Sequence, residues 1–332
     1  MALDNNGNIF TTGFFIGKTI FYLNNDSVTY NAGNQDVFIQ KLDKNGDFQW
    51  AKKIGGTGID QGHAIAVGPD GDVVITGQFK SSTMSLNPDP NAVNPKKVSN
   101  AGTRYDIFFV KLKGVDGEYV WGHGFYGGLD DYGRALAIDK DGYIYLAGEI
   151  AQSVNFELDA SKPGKTKQSK GGLDVFLARY NKDGNIDWVE TYGSTGVDFV
   201  RAIVVNSDFE IVIGGGFSGT VDLDHTSGTR TIKTKNTSYD GFCLKINETP
   251  EVNAITKNKR TSALSAYPNP AHNTIALDLP TVQKVCIISM QGKVLLKESN
   301  SKTLNIESLP VGMYIIQATD NEQTYTSRFI KN

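Results

Sequence analysis

An all-β protein is predicted by three observations on the sequence. Its 332 residues hold 36 glycines against 10 prolines, which suits many turns better than a low-complexity tract. Short apolar runs are separated by Asp-Gly and Asn-Gly dipeptides, which supply the positive φ that tight hairpins need. Two blocks of sequence also return at a nearly constant spacing, and such a period decides the architecture before any local assignment.

The first block is DVFIQKLDKNGDFQW, from Asp36 to Trp50. It returns from Asp106 to Trp121, from Asp174 to Trp188 and, shortened to DGFCLKI, from Asp240 to Ile246. The second block, AIAVGPDGDVVITGQF, runs from Ala64 to Phe79 and returns from Ala135 to Ile150 and from Ala202 to Phe217. A truncated copy, MALDNNGNIFTTGFF, opens the chain. Equivalent glycines at 13, 77, 148 and 215 are 64, 71 and 67 residues apart. Each unit contains two hairpins, around turns such as Pro69-Asp70-Gly71 and Lys44-Asn45-Gly46, and therefore four strands.

Four-stranded units of this length read as blades of a β-propeller, with the extra length placed between the second and third strands, as in Lys80 to Tyr105. The expected blades are about 1–54, 63–126, 134–192 and 201–247, so residues 1–247 form a partial propeller of about four blades. The first strand, as in Ala64-Ile65-Ala66-Val67, is apolar on both faces, which suits an inner strand wedged between blades. Trp50, Trp121 and Trp188 share one position on the fourth strand and read as packing residues. After Ile246 comes a polar, aperiodic stretch, expected to be a linker over 248–263. Residues 264–332 alternate over short strands, with Ile275, Leu277 and Leu279 on one face and Tyr314, Ile316 and Ala318 on another. Met290-Gln291-Gly292-Lys293 closes a hairpin, and the segment reads as a small immunoglobulin-like β-sandwich.

Composition and motifs exclude several functions. A net charge of −3 with scattered Lys and Arg gives no basic stripe for nucleic acid, and no apolar run reaches the length of a membrane span. Cys243 and Cys286 fall in different domains, so no disulfide framework is expected. The four histidines, His63, His123, His225 and His272, lack metal-ligand spacing, and neither Gly-x-Ser-x-Gly nor His-Glu-x-x-His occurs. Asp43-x-Asn45-Gly46-Asp47 and Asn181-x-Asp183-Gly184-Asn185-x-Asp187 imitate calcium loops. They lack the Glu at the twelfth position and fall on hairpin turns. No cofactor, metal or catalytic residue is therefore assigned. Paired carboxylates for glycoside chemistry stay open, because their separation is a three-dimensional quantity.

Antiparallel connectivity puts the short turns on one face of the array and every long loop on the other, which makes the long-loop face the candidate binding surface. Just before each inner strand stands Asp60, Asp131 or Asp198, followed three residues later by His63, Arg134 or Arg201. The functional reading is a ring of alternating charge that contacts a sugar, a peptide or a cation. In the structural reading each Asp bonds nearby backbone N–H groups and its basic neighbour balances the charge.

The repeat resembles the SBBP-type β-propeller unit of bacterial extracellular proteins over residues 1–247. The likeness rests on Asp-x-Phe-x-x-Lys, the Asn/Asp-Gly hairpin, Trp, Gly-Gly and Asp-Gly-x-x-x-x-x-Gly. The tail is similar to the type A C-terminal sorting domain of the type IX secretion system of Bacteroidetes. That similarity rests on Tyr267-Pro268-Asn269-Pro270, Gly292-Lys293, Gly312 and Tyr314 in Leu309 to Tyr314, and Lys331 in the closing Arg328 to Lys331. It implies partnership with the secretion machinery and a secreted or outer-membrane-surface location, with the domain often cleaved and the cargo released or attached to lipopolysaccharide.

Met1 aligns with Ile65, Leu136 and Ile203, inside an inner strand, and no secretory signal opens the chain. The natural protein is therefore expected to extend further upstream. The open sheet edges of a partial propeller lead to a second expectation, that residues 1–247 alone are poorly soluble or oligomeric. The leading functional expectation is a surface binding or adhesion module for a glycan or protein ligand. The alternative is an accessory propeller of a secreted hydrolase whose catalytic domain lies upstream, and a structural spacer is a third reading.

Overall fold

The computed structural model describes every residue except 23–26, 101–102, 158, 160–161, 163, 225–229, 235–238, 248–261, 280, 290–293 and 320–323. The described residues are all-β, without a helix, and fall into two compact units, Met1–Pro250 and Glu251–Asn332.

In the first unit the repeats become successive antiparallel sheets. The first sheet has the order β1 (Ala2–Leu3), β2 (Ile9–Phe15), β5 (Asp36–Leu42), β6 (Phe48–Ile54). A side hairpin, β3 (Lys18–Tyr22) with β4 (Ser27–Asn31), leaves it between β2 and β5. The second sheet is β7 (Asp60–Val67), β8 (Val73–Phe79), β11 (Asp106–Leu112), β12 (Tyr119–Phe125), with the side hairpin β9 (Thr83–Ser85) and β10 (Lys97–Ser99). The third is β13 (Tyr132–Ile138), β14 (Ile144–Asn155), β15 (Thr166–Tyr180), β16 (Ile186–Tyr192). Here β14 and β15 simply run on, so that Ser153–Asn155 pair with 166–168. The fourth contains β17 (Phe199–Val205), β18 (Glu210–Phe217) and β21 (Asp240–Asn247), with the side hairpin β19 (Thr220–Asp222) and β20 (Thr231–Lys233).

These sheets stack face to face as blades. Phe108, Val110 and Leu112 of β11 meet Val37 and Ile39 of β5, while Ile107 and Phe109, on the other side of β11, meet Phe176 and Ala178 of β15. Tyr145, Val175 and Leu177 in turn pack on Val200, Ile211 and Phe242. A strand sandwiched this way must be apolar on both sides, and every residue of β8 and β11 is buried. This corrects one expectation. Full burial belongs to β8 and β11, the second and third strands of the second blade, whereas the inner strands β7 and β13 are only half-buried.

One glycine and one phenylalanine lock each blade internally. A Cβ on Gly13, Gly77, Gly148 or Gly215 would collide with the ring of Phe38, Phe108, Phe176 or Phe242 opposite it. At Gly77, Gly148 and Gly215 it would also strike the inner-strand carbonyl of Gln61, Tyr132 or Phe199. The spacing of these glycines is therefore set by close approach between strands.

In the second unit, a sheet ordered β22 (Ser262–Ala263), β29 (Thr324–Lys331), β28 (Gly312–Thr319), β25 (Lys284–Ser289), β26 (Val294–Ser299) faces a smaller one of β23 (Ala266–Tyr267), β24 (Thr274–Leu277) and β27 (Thr303–Asn305). Ile275, Leu277 and Leu304 from the small sheet interdigitate with Val285, Ile287, Ile316, Ala318 and Phe329 from the large one. β25 and β26 pair as a hairpin, though its turn lies outside the described residues, as does most of the stretch expected to be a linker.

Candidate functional site

The inner strands begin at blade junctions, and each junction is built on two buried aspartates. Asp60 N–H donates to Gln35 O (2.9 Å), Asp131 N–H to Tyr105 O (2.7 Å) and Asp198 N–H to Leu173 O (2.7 Å), so each inner strand is stitched to the preceding blade at the same point. The carboxylates turn inward. Asp60 accepts from the amides of Gly56, Lys80 and Ser81 and from Ser81 Oγ. Asp131 accepts from Ala151 N (2.8 Å), and Asp198 from Ser194 N (2.6 Å) and Ser218 N (3.1 Å).

Asp36 and Asp106, which open β5 and β11, and their equivalent Asp174 within β15 are buried beside them. Burial pushes Asp131 up to about 8 and Asp106 and Asp174 up to about 6; Asp131 also feels Asp106 and Asp174 feels Asp198 across the junction, while Asp106 feels Asp130. Asp36 Oδ1, Asp131 Oδ2 and Asp174 Oδ1 are buried with no hydrogen-bond partner. Gly55, Gly127 and Gly193 leave the room these oxygens occupy. Among the described residues no group of three or more acidic, His or Cys side chains is arranged to hold a metal.

The basic residues behave differently. Register slips between Gly62 and Ala64, between Gly133 and Ala135, and between Val200 and Ala202, so His63, Arg134 and Arg201 are each the extra residue of a β-bulge. A bulge re-aims a side chain out of the pleat, and here it does so at one level on three adjacent inner strands. The structure thus separates the two halves of each sequence pair, sending the acid into the junction and the base along the inner strands.

The bases are linked to one another. Arg134 Nη1 lies 3.2 Å from His63 Nδ1, which also sits 3.0 Å from Gly133 O, so the imidazole nitrogen serves one or the other according to its tautomer. Burial, aided by the Arg134 charge, lowers His63 to about 4 and keeps the ring neutral at physiological pH. Arg134 Nε donates to Glu149 Oε2 (2.7 Å), while Arg201 Nη1 donates to Glu149 Oε1 (3.2 Å). Glu149 is buried, and burial raises it against the opposing pull of both arginines. Each guanidinium also lies on an aromatic face, Arg134 on Tyr132 (4.1 Å) and Arg201 on Phe199 (4.4 Å). Tyr105 stands 6.0 Å from Tyr132, and Tyr239 stands 5.4 Å from Phe199. A polar track, Gln35–Gln61–Gln78, leads to Arg134 from the first blade (2.6, 2.9 and 3.5 Å).

Sequence reasoning missed Glu149, the residue that organises this cluster. Its equivalents in the other repeats are Phe14, Gln78 and Gly216, so no periodic signal marks the position. The calcium-like loops are turns: Asp43 Oδ1 accepts from Asn45 N and Asp47 N, and Asn181 Oδ1 from Asp183 N and Asn185 N.

In the C-terminal unit the sorting-motif residues gather along one strand. Asn269 clamps the end of β29 beyond its pairing with β22, its Nδ2 donating to Arg328 O (3.1 Å) and its Oδ1 accepting from Ile330 N (2.9 Å). Ala271 extends the contact through Ile330 O (2.7 Å) and Asn332 N (2.8 Å). Pro268 and Pro270 flank that clamp, and Tyr267 is exposed. Opposite it, Tyr314 stacks on Phe329 and donates to Pro310 O (2.7 Å), and Gly312 pairs with Lys331. Gly292 and Lys293 lie outside the described residues.

Residues 265–332 match the family described as a secretion system C-terminal sorting domain. The chain carries that sorting domain. With it comes export through the type IX system to the cell surface or the extracellular space.

The sorting domain covers only the tail, and two curated proteins match longer stretches of the chain at low identity. An uncharacterized WD repeat-containing protein of Acanthamoeba polyphaga mimivirus is 23% identical over 231 residues, 63% of this chain and 16% of that protein. The regulatory protein FlaEY of Caulobacter vibrioides is 25% identical over 211 residues, 61% of this chain and 20% of that protein. The chain therefore spans a small part of the curated relatives it matches. Among solved structures, a protein of unknown function from Bacteroides caccae aligns over 96% of this chain and 98% of its own, at 8% identity and a TM-score of 0.30. The extracellular domain of a putative hybrid two-component system of B. thetaiotaomicron aligns over 97% and 56%, at 10% identity and 0.22.

Proposed function

We propose that this exported protein presents an SBBP-type blade array as a non-catalytic binding or adhesion module, and that the binding surface is the line of inner-strand bulges carrying His63, Arg134 and Arg201. The observation that carries this reading is that three adjacent blades place a basic or imidazole side chain at the same bulge. Glu149 and aromatic faces then hold the two arginines in fixed planes. Bulges disrupt the ladder and are kept where they aim a side chain at a task. A non-catalytic role suits the chemistry, because Glu149, the carboxylate between the two arginines, is engaged by both of them. The domain division and sorting residues proposed from the sequence belong to the same reading, with 1–247 as the displayed array and 264–332 as the exported tag.

Screening the full chain against glycan and protein arrays, alongside Arg201→Ala, tests the binding role. Ligands captured by the native chain and lost in the variant are expected. A chain that captures none, or whose captured ligands ignore Arg201, contradicts it.

A further inference from the structure

We infer that the Arg134–Arg201 pair recognises an acidic, uronate-bearing oligosaccharide, an assignment that rests on reading this face as the binding surface. The two guanidiniums are anchored on one side and open on the other. Arg134 spends Nε on Glu149 and Nη1 on His63 and Gln78, while Arg201 spends only Nη1, on Glu149 and Val200 O. Nη2 of both arginines and Nε of Arg201 carry no bond to the protein among the described residues.

A guanidinium offers donors in a rigid planar fork that matches a carboxylate, and it recognises best when its plane is already fixed. Here the plane is fixed twice for each arginine, by an aromatic ring beneath it and by one oxygen of a shared, buried carboxylate. Arg201 still has 61% of its side chain exposed, so the fork faces solvent.

The unspent, exposed donors of Arg201 favour an anion. Glu149 cancels one of the two arginine charges and leaves the other over. The nearest inner-strand acid, Asp131, has its proton affinity raised by burial to about 8 and is mostly neutral at pH 7. Asp130 accepts the Tyr105 amide through Oδ1 on the Tyr132 side of the cluster, away from the Phe199 face that carries Arg201. Next to the exposed guanidinium of Arg201 stands an open apolar surface. Tyr239 is 54% exposed and packs on Phe199, whose ring already carries Arg201. A ligand that brings a planar carboxylate on a ring with one apolar face satisfies both features, and a uronic acid residue has that form.

Isothermal titration of the full chain tests this with three probes: a galacturonate oligomer, a neutral cello-oligosaccharide of equal length, and a glutamate oligopeptide. The galacturonate oligomer is expected to bind, more weakly as salt rises; the neutral oligosaccharide should bind at least about tenfold more weakly, as loss of one charge-assisted pair implies, and the glutamate oligopeptide more weakly because it brings no ring to lie against Tyr239. Arg201→Ala should lower galacturonate affinity about tenfold or more, Arg201→Lys less, and Tyr239→Ala should also lower it. Arg201→Ala leaves Glu149 paired with Arg134, and an unchanged melting temperature confirms that the variant folds.

Equal affinity for the neutral oligosaccharide, lost on Arg201→Ala, would overturn the acidic ligand and leave the binding face standing. Preference for the glutamate oligopeptide would overturn the saccharide assignment. Absence of any binding by the native chain would overturn the inference and, together with empty arrays, the binding role itself.

Discussion

Trp50 reaches across the boundary between the first two blades and donates its indole N–H to the carbonyl of Gly114, 3.4 Å away. One repeat later, Trp121 makes the same bond to Lys182 O, at 3.2 Å. Both acceptors lie in the turn between the third and fourth strands of the next blade, so the recurring tryptophan is a latch between blades as well as a packing residue. Lys41 Nζ joins the first latch at the same carbonyl, 2.9 Å away.

Trp50→Phe keeps the ring against Phe10 and removes the donor. It should lower the stability of the blade array by about 1 kcal/mol, the usual net value of one hydrogen bond. Trp50→Ala also empties a buried site and should cost about 3–5 kcal/mol. Urea denaturation followed by tryptophan fluorescence and circular dichroism measures both. A Phe variant with unchanged stability contradicts the latch.

Asp131 sets a pH dependence with a definite sign. Its affinity for a proton is raised in the fold, so its contribution to stability is full below the unfolded carboxyl value and is lost as pH rises through about 8. His63 and His123, lowered to about 4 by burial, act in the opposite direction, but only as pH falls below about 6.5. Between pH 7 and 9 the Asp131 effect is therefore unopposed by histidine. The blade array should lose stability with rising pH at no more than about 1.4 kcal/mol per pH unit. Melting curves at pH 7, 8 and 9 should show the slope in the native chain and a flattened one in Asp131→Asn.

Gly148→Ala should destabilise the third blade more than an ordinary surface change, because its Cβ would meet both the Phe176 ring and the Tyr132 carbonyl oxygen. Gly46→Ala provides the contrast. That turn glycine has φ of 89° and open space around it, so its cost is backbone strain alone, about 1–2 kcal/mol. Equal losses in the two variants would contradict the close-approach explanation of the repeat.

Much of the fold was legible because a blade is copied. The glycine and the Asp-x-Phe motif recur in sequence since Gly77 and Phe108, or Gly148 and Phe176, must touch in every copy. The side hairpins were not legible. Strands as short as Thr83–Ser85 and Lys97–Ser99 carry too few residues for a period, and the connections were read only as long loops. The candidate site was half legible. The spacing found His63, Arg134 and Arg201 with their acids, but strand pairing decides that the acids point into the junctions and the bases out through bulges. Glu149 stands alone at its position in the repeat, and only its contacts with two different blades reveal it.

Asn269 tests how the sorting domain holds its motif together. Asn269→Ala removes both side-chain bonds to β29, and Asn269→Asp keeps the acceptor for Ile330 N while losing the donor to Arg328 O. Export of the Ala variant should fall well below that of the native chain, with the Asp variant between them. Cell fractionation and immunoblotting of the surface and medium would measure this.

The most direct test of the account as a whole is export itself. The chain should be expressed behind a secretory signal in a bacterium with an active type IX system, with and without residues 265–332, and assayed by protease accessibility on intact cells. Surface or extracellular display of the full chain, with retention of the truncated chain in the periplasm, is the expected result. Equal display of both chains would contradict it.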